Sequence, residues 1–253
     1  MSILYSVLEM ISAHVAGIIF LLFSQTFMSK EIQNQVVSYS SSAKSLTTES
    51  TEKYTVKCIN QSTENCYFYL FQRTKNQNSM IASLVWFASP YKVPTGEGSI
   101  TFDWQQTYCY VWQGYGSVQP TVVFTAEGLK DGAPETQVTF LIEDSTPVFG
   151  DVLQYNTPGM MITSKMTIPD NTFGVGIGMS GQATLLVQSI ANKTQEFEVE
   201  PIYWIAVSNE IVVGEVLSES SSDPKAQFAF PANTYNLTIT YSDGKFYNNG
   251  NPL

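Results

Sequence analysis

The sequence predicts an all-β protein, because three of its features are typical of sheets. Apolar and polar residues alternate with a period of two, turn-forming residues recur at short intervals, and the chain is rich in Tyr, Phe, Val and Thr. Its 253 residues suffice for one large β domain or two small ones. We therefore predict two packed antiparallel β-sandwich-like halves, with a single larger sandwich as the alternative.

The first element is a hydrophobic N-terminal segment, residues 1–29, which carries no formal charge after Glu9. Its uncharged run reaches the roughly 20 residues that cross a bilayer, but it lacks the basic start of a secretory signal. Three interpretations stay open: a cleaved signal, a retained anchor, or a mis-assigned start with translation from Met28. The first two predict a secreted or membrane-tethered extracellular protein, and the third predicts a cytoplasmic one.

Residues 30–53 follow as a Ser/Thr-rich segment with little apolar material and no Gly or Pro. Such composition is typical of a flexible tether, because it offers no surface to bury. An arm that packs on the body is the alternative.

The body begins at Tyr54 and reads as short strands. Period-2 alternation is clearest in residues 99–104, 137–142 and 235–241. Residues 83–88 form a continuous apolar run, which is typical of a strand buried on both faces. Turn signals occur at residues 95–98, 130–132, 156–159, 169–171, 223–224 and 242–244. We place the division at 156–159, which gives halves 54–155 and 156–253.

The charge balance excludes several classes of partner. Only 13% of residues are charged, where about 25% is usual, and the net charge is −10 with 12 basic and 22 acidic residues. The basic residues are scattered singly, so we predict no nucleic-acid partner. A membrane partner is predicted only through residues 1–29, if they are retained.

The only histidine is His14, which lies in the N-terminal segment. The body therefore has no imidazole for Ser-His or Cys-His catalysis and none for a metal site. Residues 176–181 match G-x-G-x-x-G, but a strand, not a helix, is predicted to follow, which argues against dinucleotide binding. We predict no catalytic residue, no cofactor and no metal.

Aromatic side chains are the candidates for binding, since surface rings stack on sugars. We name Trp86, Trp104, Trp112 and Trp204 as possible ligand-binding residues. Their alternation with polar residues also fits a role in the core. Paired carboxylates would be enough for glycan hydrolysis, but no pair stands out.

Cys58 and Cys66 flank seven residues that read as a hairpin loop. Neighbouring strands bring cysteines within disulfide reach. A Cys58–Cys66 bridge is predicted if the chain is exported, and two buried thiols if it is not.

Four segments resemble the rhizosphere-expressed, quorum-regulated RhiA-type bacterial proteins. They are residues 83–90 (SLVWFASP), 102–112 (FDWQQTYCYVW), 174–181 (GVGIGMSG) and 203–206 (YWIA). Their order and spacing extend the resemblance over about residues 54–247. It implies a β protein of surface- or host-associated bacterial life and offers no catalytic residues to carry over.

These observations predict a non-enzymatic binding or structural protein that acts at a surface or in self-assembly. A glycan or further copies of the chain are the expected partners, and a homo-oligomer is one expected form. A carbohydrate-binding protein or a carboxylate-dependent glycan hydrolase is the alternative.

Overall fold

The computed structural model describes residues 36–38, 52–74, 80–114, 116–199, 202–218 and 220–253. All helical or extended elements described in these ranges are β-strands, which confirms the predicted all-β class. The first ten are β1 (Val36–Ser38), β2 (Lys53–Asn60), β3 (Tyr67–Gln72), β4 (Ala82–Ser83), β5 (Phe87–Ala88), β6 (Gly98–Gln105), β7 (Tyr108–Gly114), β8 (Gly128–Gly132), β9 (Thr136–Glu143) and β10 (Thr146–Phe149). The others are β11 (Leu153–Gln154), β12 (Gly159–Ser164), β13 (Phe173–Met179), β14 (Gln182–Gln188), β15 (Thr194–Glu198), β16 (Tyr203–Ser208), β17 (Lys225–Phe228), β18 (Asn236–Ser242), β19 (Lys245–Asn248) and β20 (Asn251–Pro252).

The strands form four sheets. Sheet I has the order β1-β6-β2-β18-β19-β20, sheet II β17-β16-β3-β5, sheet III β4-β14-β13-β7-β8, and sheet IV β10-β9-β12-β15 with β11 beside β9. Most neighbours are antiparallel, and the parallel pairs are β1 with β6, β2 with β18 and β9 with β12.

Sheets I and II enclose the first core. Alternate residues of β6 point into it, so Ile100, Phe102 and Trp104 are buried as the alternation predicts. The Trp104 ring lies 5.2 Å from that of Tyr203 on sheet II, and the Phe102 ring 6.2 Å from that of Phe87. This pair of sheets is the first sandwich.

Sheets III and IV enclose the second core and form the second sandwich. The rings of Phe140 on β9 and Phe173 on β13 meet at 5.4 Å between the two sheets. Val138 and Ile162 complete the side from sheet IV, opposite Val175. Each sandwich thus has one inner face per sheet, as period-2 strands require.

The predicted halves 54–155 and 156–253 are wrong as boundaries, although two sandwiches are present. Strand β12 pairs with β9, and β13 pairs with β7, so strands from both sides of 156–159 share sheets III and IV. The first sandwich is built from β1 to β3, β5, β6 and β16 to β20. The second sandwich, apart from β4, is therefore an insertion in the first, and turn residues at 156–159 mark only a loop.

The apolar run 83–88 is also not one strand. Ser83 ends β4 in sheet III, whereas Phe87 begins β5 in sheet II. Between them, Leu84 and Val85 pack on the outer faces of the two sheets and Trp86 enters the first core. The run is continuously apolar because the chain crosses from one sandwich to the other through buried space.

Five of the six predicted turn segments lie between strands, and one does not. Asp243 and Gly244 both have positive φ, the conformation of a two-residue hairpin turn. Residues 130–132 instead belong to edge strand β8. Gly132 is needed there because a Cβ would lie 2.8 Å from the Tyr110 ring.

The predicted N-terminal segment, residues 1–29, lies outside the described residues. In the predicted tether, Val36–Ser38 form β1 against β6, so at least these residues pack as a strand rather than as a flexible link. Over the ranges given above, the structure has no helix long and apolar enough to cross a membrane.

Candidate functional site

A cleft of about 540 Å³ lies where the two sandwiches meet. This volume falls in the range of about 300–1,000 Å³ that holds small molecules. Its described walls come from residues 73–74, 80–83, 187–188, 190 and 216–218, with Val118, Pro120 and Gln195. Most of these side chains are apolar, several are uncharged and polar, and Arg73 alone is charged.

One wall of the cleft is held by backbone hydrogen bonds on both sides. The Leu217 amide donates to the Ser83 carbonyl at 2.9 Å. On its other side, the Thr121 amide donates to the Val216 carbonyl, and the Val216 amide donates to the Val122 carbonyl, both at 2.9 Å. The wall is therefore paired like a strand and offers a fixed surface.

Gln188 fixes a second wall. Its Nε2 donates to the Phe173 carbonyl at 3.0 Å and to the Gly116 carbonyl at 3.3 Å, while its Oε1 accepts from the Val118 amide at 2.8 Å. One side-chain amide thus ties residues 116–118 to sheet III.

Arg73 enters the cleft directly after β3. Its guanidinium carbon lies 5.5 Å from the centre of the Phe71 ring and 5.0 Å from that of Trp204. These rings stack on each other at 5.9 Å. Cation–π contact holds the guanidinium over the rings and leaves its N–H donors available.

Trp86 and Trp104, two of the predicted ligand-binding residues, are core residues. Both are buried, at 0% and 1% exposure, and their rings meet at 5.0 Å. Trp86 Nε1 donates to the Met179 carbonyl at 3.0 Å, which links the two sandwiches. The prediction of surface roles for these two is wrong, because Trp86, between β4 and β5, and Trp104, on β6, both pack in the first core.

Trp112 and Trp204 are half-buried and lie on different sheets, so the four tryptophans form no common platform. Trp112 packs on Phe140 in the second core at 5.9 Å. Only Trp204 lies beside the cleft, under Arg73. Sequence reasoning missed Arg73, although it is the single arginine of the chain and follows an aromatic strand.

A family model described as RhiA matches residues 51–248. The chain belongs to the RhiA family. Protein RhiA of Rhizobium leguminosarum bv. viciae is 32% identical over 187 residues, which cover 73% of this chain and 80% of that protein. No solved structure matches the chain. The matched region includes every strand from β2 to β19 and all described residues of the cleft.

In this RhiA-family protein, residues 176–181 form a strand and turn, as predicted. Gly176 and Gly178 lie in β13, Ser180 and Gly181 have positive φ, and β14 follows. A Cβ on Gly176 would overlap the Leu185 carbonyl oxygen. The glycines therefore allow close strand pairing, and no helix N-terminus lies there to receive a phosphate.

Acidic, cysteine and histidine side chains would be needed for a metal site or for glycan hydrolysis. No group of three or more His, Cys, Asp or Glu side chains suited to a metal ion occurs in the described part of this RhiA-family protein. The described cleft residues include neither Asp nor Glu. The described part of the cleft therefore offers no pair of carboxylates of the kind that glycan hydrolysis uses.

Cys58 and Cys66 are not neighbours across a hairpin. Cys58 lies on β2 in sheet I. Cys66 lies just before β3 of sheet II and forms an isolated antiparallel backbone pair with Val93, so the loop between the two cysteines connects different sheets. Both are buried free thiols. Burial, and then repulsion from Cys66, raise the pKa of Cys58 well above 9.0; burial, with Glu64, raises the pKa of Cys66 to about 11.

These thiols predict a loss of stability at alkaline pH. Each folded pKa lies above its unfolded value, so their contribution is complete below about pH 8.5 and is lost as the pH rises further. We expect the free energy of unfolding, measured with urea in reductant, to fall more steeply between about pH 8.5 and pH 10 in the parent than in Cys66→Ala. Equal slopes would contradict the raised pKa of Cys66 in the folded protein.

Proposed function

We propose that this RhiA-family protein is a non-enzymatic binding protein that holds a small molecule in the cleft between its sandwiches. The single observation behind this proposal is the cleft itself: about 540 Å³, mostly apolar walls and one positioned charge. Binding sites typically combine an apolar cavity with a few oriented polar groups.

The rigidity of the walls supports binding. The segment 216–217 is hydrogen-bonded on both sides, and Gln188 makes three hydrogen bonds that hold residues 116–118. A preformed cleft loses little conformational entropy when a ligand enters, so its apolar contacts are retained as affinity.

The chemistry of the described residues favours binding over catalysis. The body has no histidine, and the described cleft residues carry no carboxylate to act as general base. Cys109 is not a ready nucleophile, since burial, and then Asp131, raise its pKa to about 12. Among the described residues of the cleft, no nucleophile is paired with a base.

Location and assembly belong to this proposal. If residues 1–29 act as a signal or an anchor, the protein lies outside the cell. Its cleft is then accessible from the exterior or to a partner bound at the cell surface. The mature N-terminus and the native mass of the purified protein test both points: processing or membrane retention supports export, and a mass above 28.1 kDa per particle supports self-association.

Titration with a neutral, environment-sensitive apolar fluorophore tests the cleft. We expect saturable binding of one molecule per chain, and we expect Ser83→Trp, which fills the cleft wall, to reduce the affinity at least about tenfold. Ser222→Trp is the matched control, because Ser222 is exposed and lies outside the cleft lining. Equal thermal unfolding midpoints show that both variants fold.

Two results would overturn the proposal. One is the absence of saturable binding by the parent protein. The other is binding by Ser83→Trp that equals binding by Ser222→Trp. Recovery of a chemically altered fluorophore or ligand would instead end the non-enzymatic part.

A further inference from the structure

We infer that the ligand of this cleft is an amphiphile with an apolar chain and a single anionic head group, which Arg73 binds. This inference rests on the proposed function and adds the chemical class of the ligand. Three observations carry it: the placement of the only arginine, the charge of the rest of the protein, and the apolar walls.

Arg73 is unusual in this chain by type and by place. The other eleven basic residues are lysines, and Arg73 is the one basic residue among the described residues that line the cleft. A planar guanidinium presents paired donors that match a carboxylate or phosphate, which an ammonium group does not. The single residue suited to such recognition therefore lies at the one large concavity described.

The guanidinium is oriented and has no described anionic partner. Phe71 and Trp204 lie against it at 5.5 and 5.0 Å from their ring centres. Among the described residues, the one ion pair joins Lys53 to Asp103 at 2.9 Å. Rings support the guanidinium through its face, so its in-plane N–H groups remain free for an anion.

The charge of the whole protein makes this cation selective. The net charge is −10, which repels anions from most of the surface. The cleft residues described include no carboxylate to cancel Arg73. An anionic head group therefore meets attraction at this place and repulsion elsewhere.

The remaining walls suit a hydrocarbon chain. Val187 and Val216 are buried, Ile190 and Leu217 are partly buried, and Met80 is 66% exposed at the rim. A chain laid along the exposed parts of Ile190, Leu217 and Met80 removes apolar surface from water, and each added methylene should raise the affinity about fourfold. A small, wholly polar anion would leave this apolar surface exposed to water.

Displacement of the neutral fluorophore from the full-length protein tests the inference. The competitors are dodecanoate, dodecyl phosphate and dodecanol, each below its micelle concentration. We expect dodecanoate or dodecyl phosphate to bind at least about tenfold more tightly than dodecanol, the effect of a charge-assisted hydrogen bond. The stronger of the two anions identifies a carboxylate or a phosphate head group.

Arg73→Gln should abolish this preference and leave the affinity for dodecanol unchanged. Lys57→Gln removes the same charge from an exposed site outside the cleft, and it should keep the preference. Loss of preference in both variants, or in neither, would overturn the role of Arg73.

The outcomes separate the two proposals. Fluorophore binding that Ser83→Trp blocks, without any preference for an anion, would refute the ligand class and leave the binding function intact. Failure of the parent to bind the fluorophore and all three competitors would refute both.

Discussion

Gly176→Ala should lower the free energy of unfolding by about 3 kcal/mol or more, because the new Cβ would overlap the backbone of the neighbouring strand. The new Cβ would overlap the Leu185 carbonyl oxygen of β14, and it would lie 2.8 Å from Cδ2 of the Leu186 side chain. Leu185 and Leu186 are themselves buried, so the strand has no space to retreat. Urea-induced unfolding measures the change.

Gly116→Ala provides the control for this prediction. Gly116 is exposed, and a Cβ there would meet no atom within 4 Å. We expect its effect to stay within about 1 kcal/mol of zero, since only the entropy of the unfolded chain changes. A Gly176→Ala variant as stable as Gly116→Ala would show that β13 and β14 are not paired as described.

Local pattern predicted strands well where burial alternates along them, as in β6 and β18. Ile100 and Phe102 face the first core, Asn236 is exposed, and Ile239 is buried, all as their alternation indicates. Sheets II and III have both faces covered, which explains the uninterrupted apolar residues of β14. Such patterns record the environment of each side chain.

The sequence pattern does not indicate which strands pair when they are distant in the chain. Strand β2 lies parallel to β18, with Thr55 opposite Asn236, across nearly the whole chain. Alternation specifies which face of a strand is buried but not which strand lies beside it. The insertion of one sandwich in the other could therefore not be predicted from alternation, and the turn at 156–159 was wrongly interpreted as a boundary between halves.

The binding site was predicted poorly for a related reason. Tryptophans attract attention as ligand platforms, yet Trp86 and Trp104 fill the first core. The cleft depends on residues brought together from β4, β14 and the segments near 118 and 217, which no motif connects. Arg73 was the one available signal, through its uniqueness in the chain.

Trp86→Ala should lower the free energy of unfolding by about 3–5 kcal/mol, the usual cost of emptying a large aromatic site in a core. Trp86 is fully buried, its ring contacts Phe87 at 4.2 Å and Trp104 at 5.0 Å, and its indole donates to Met179 in the second sandwich. Trp204→Ala, at a half-buried position, should cost less than half as much. Urea-induced unfolding of both variants measures the difference.

Substitution by phenylalanine separates the hydrogen bond of Trp86 from its volume. Trp86→Phe loses the bond to the Met179 carbonyl, whereas the Trp104 indole nitrogen is buried beside Tyr203 and makes no hydrogen bond of comparable geometry, so Trp104→Phe loses mainly volume. We expect Trp86→Phe to be the less stable by about 1 kcal/mol, the net worth of one buried hydrogen bond. A Trp104→Phe variant that proved the less stable would show that the hydrogen bond from Trp86 to the Met179 carbonyl does not contribute about 1 kcal/mol to stability.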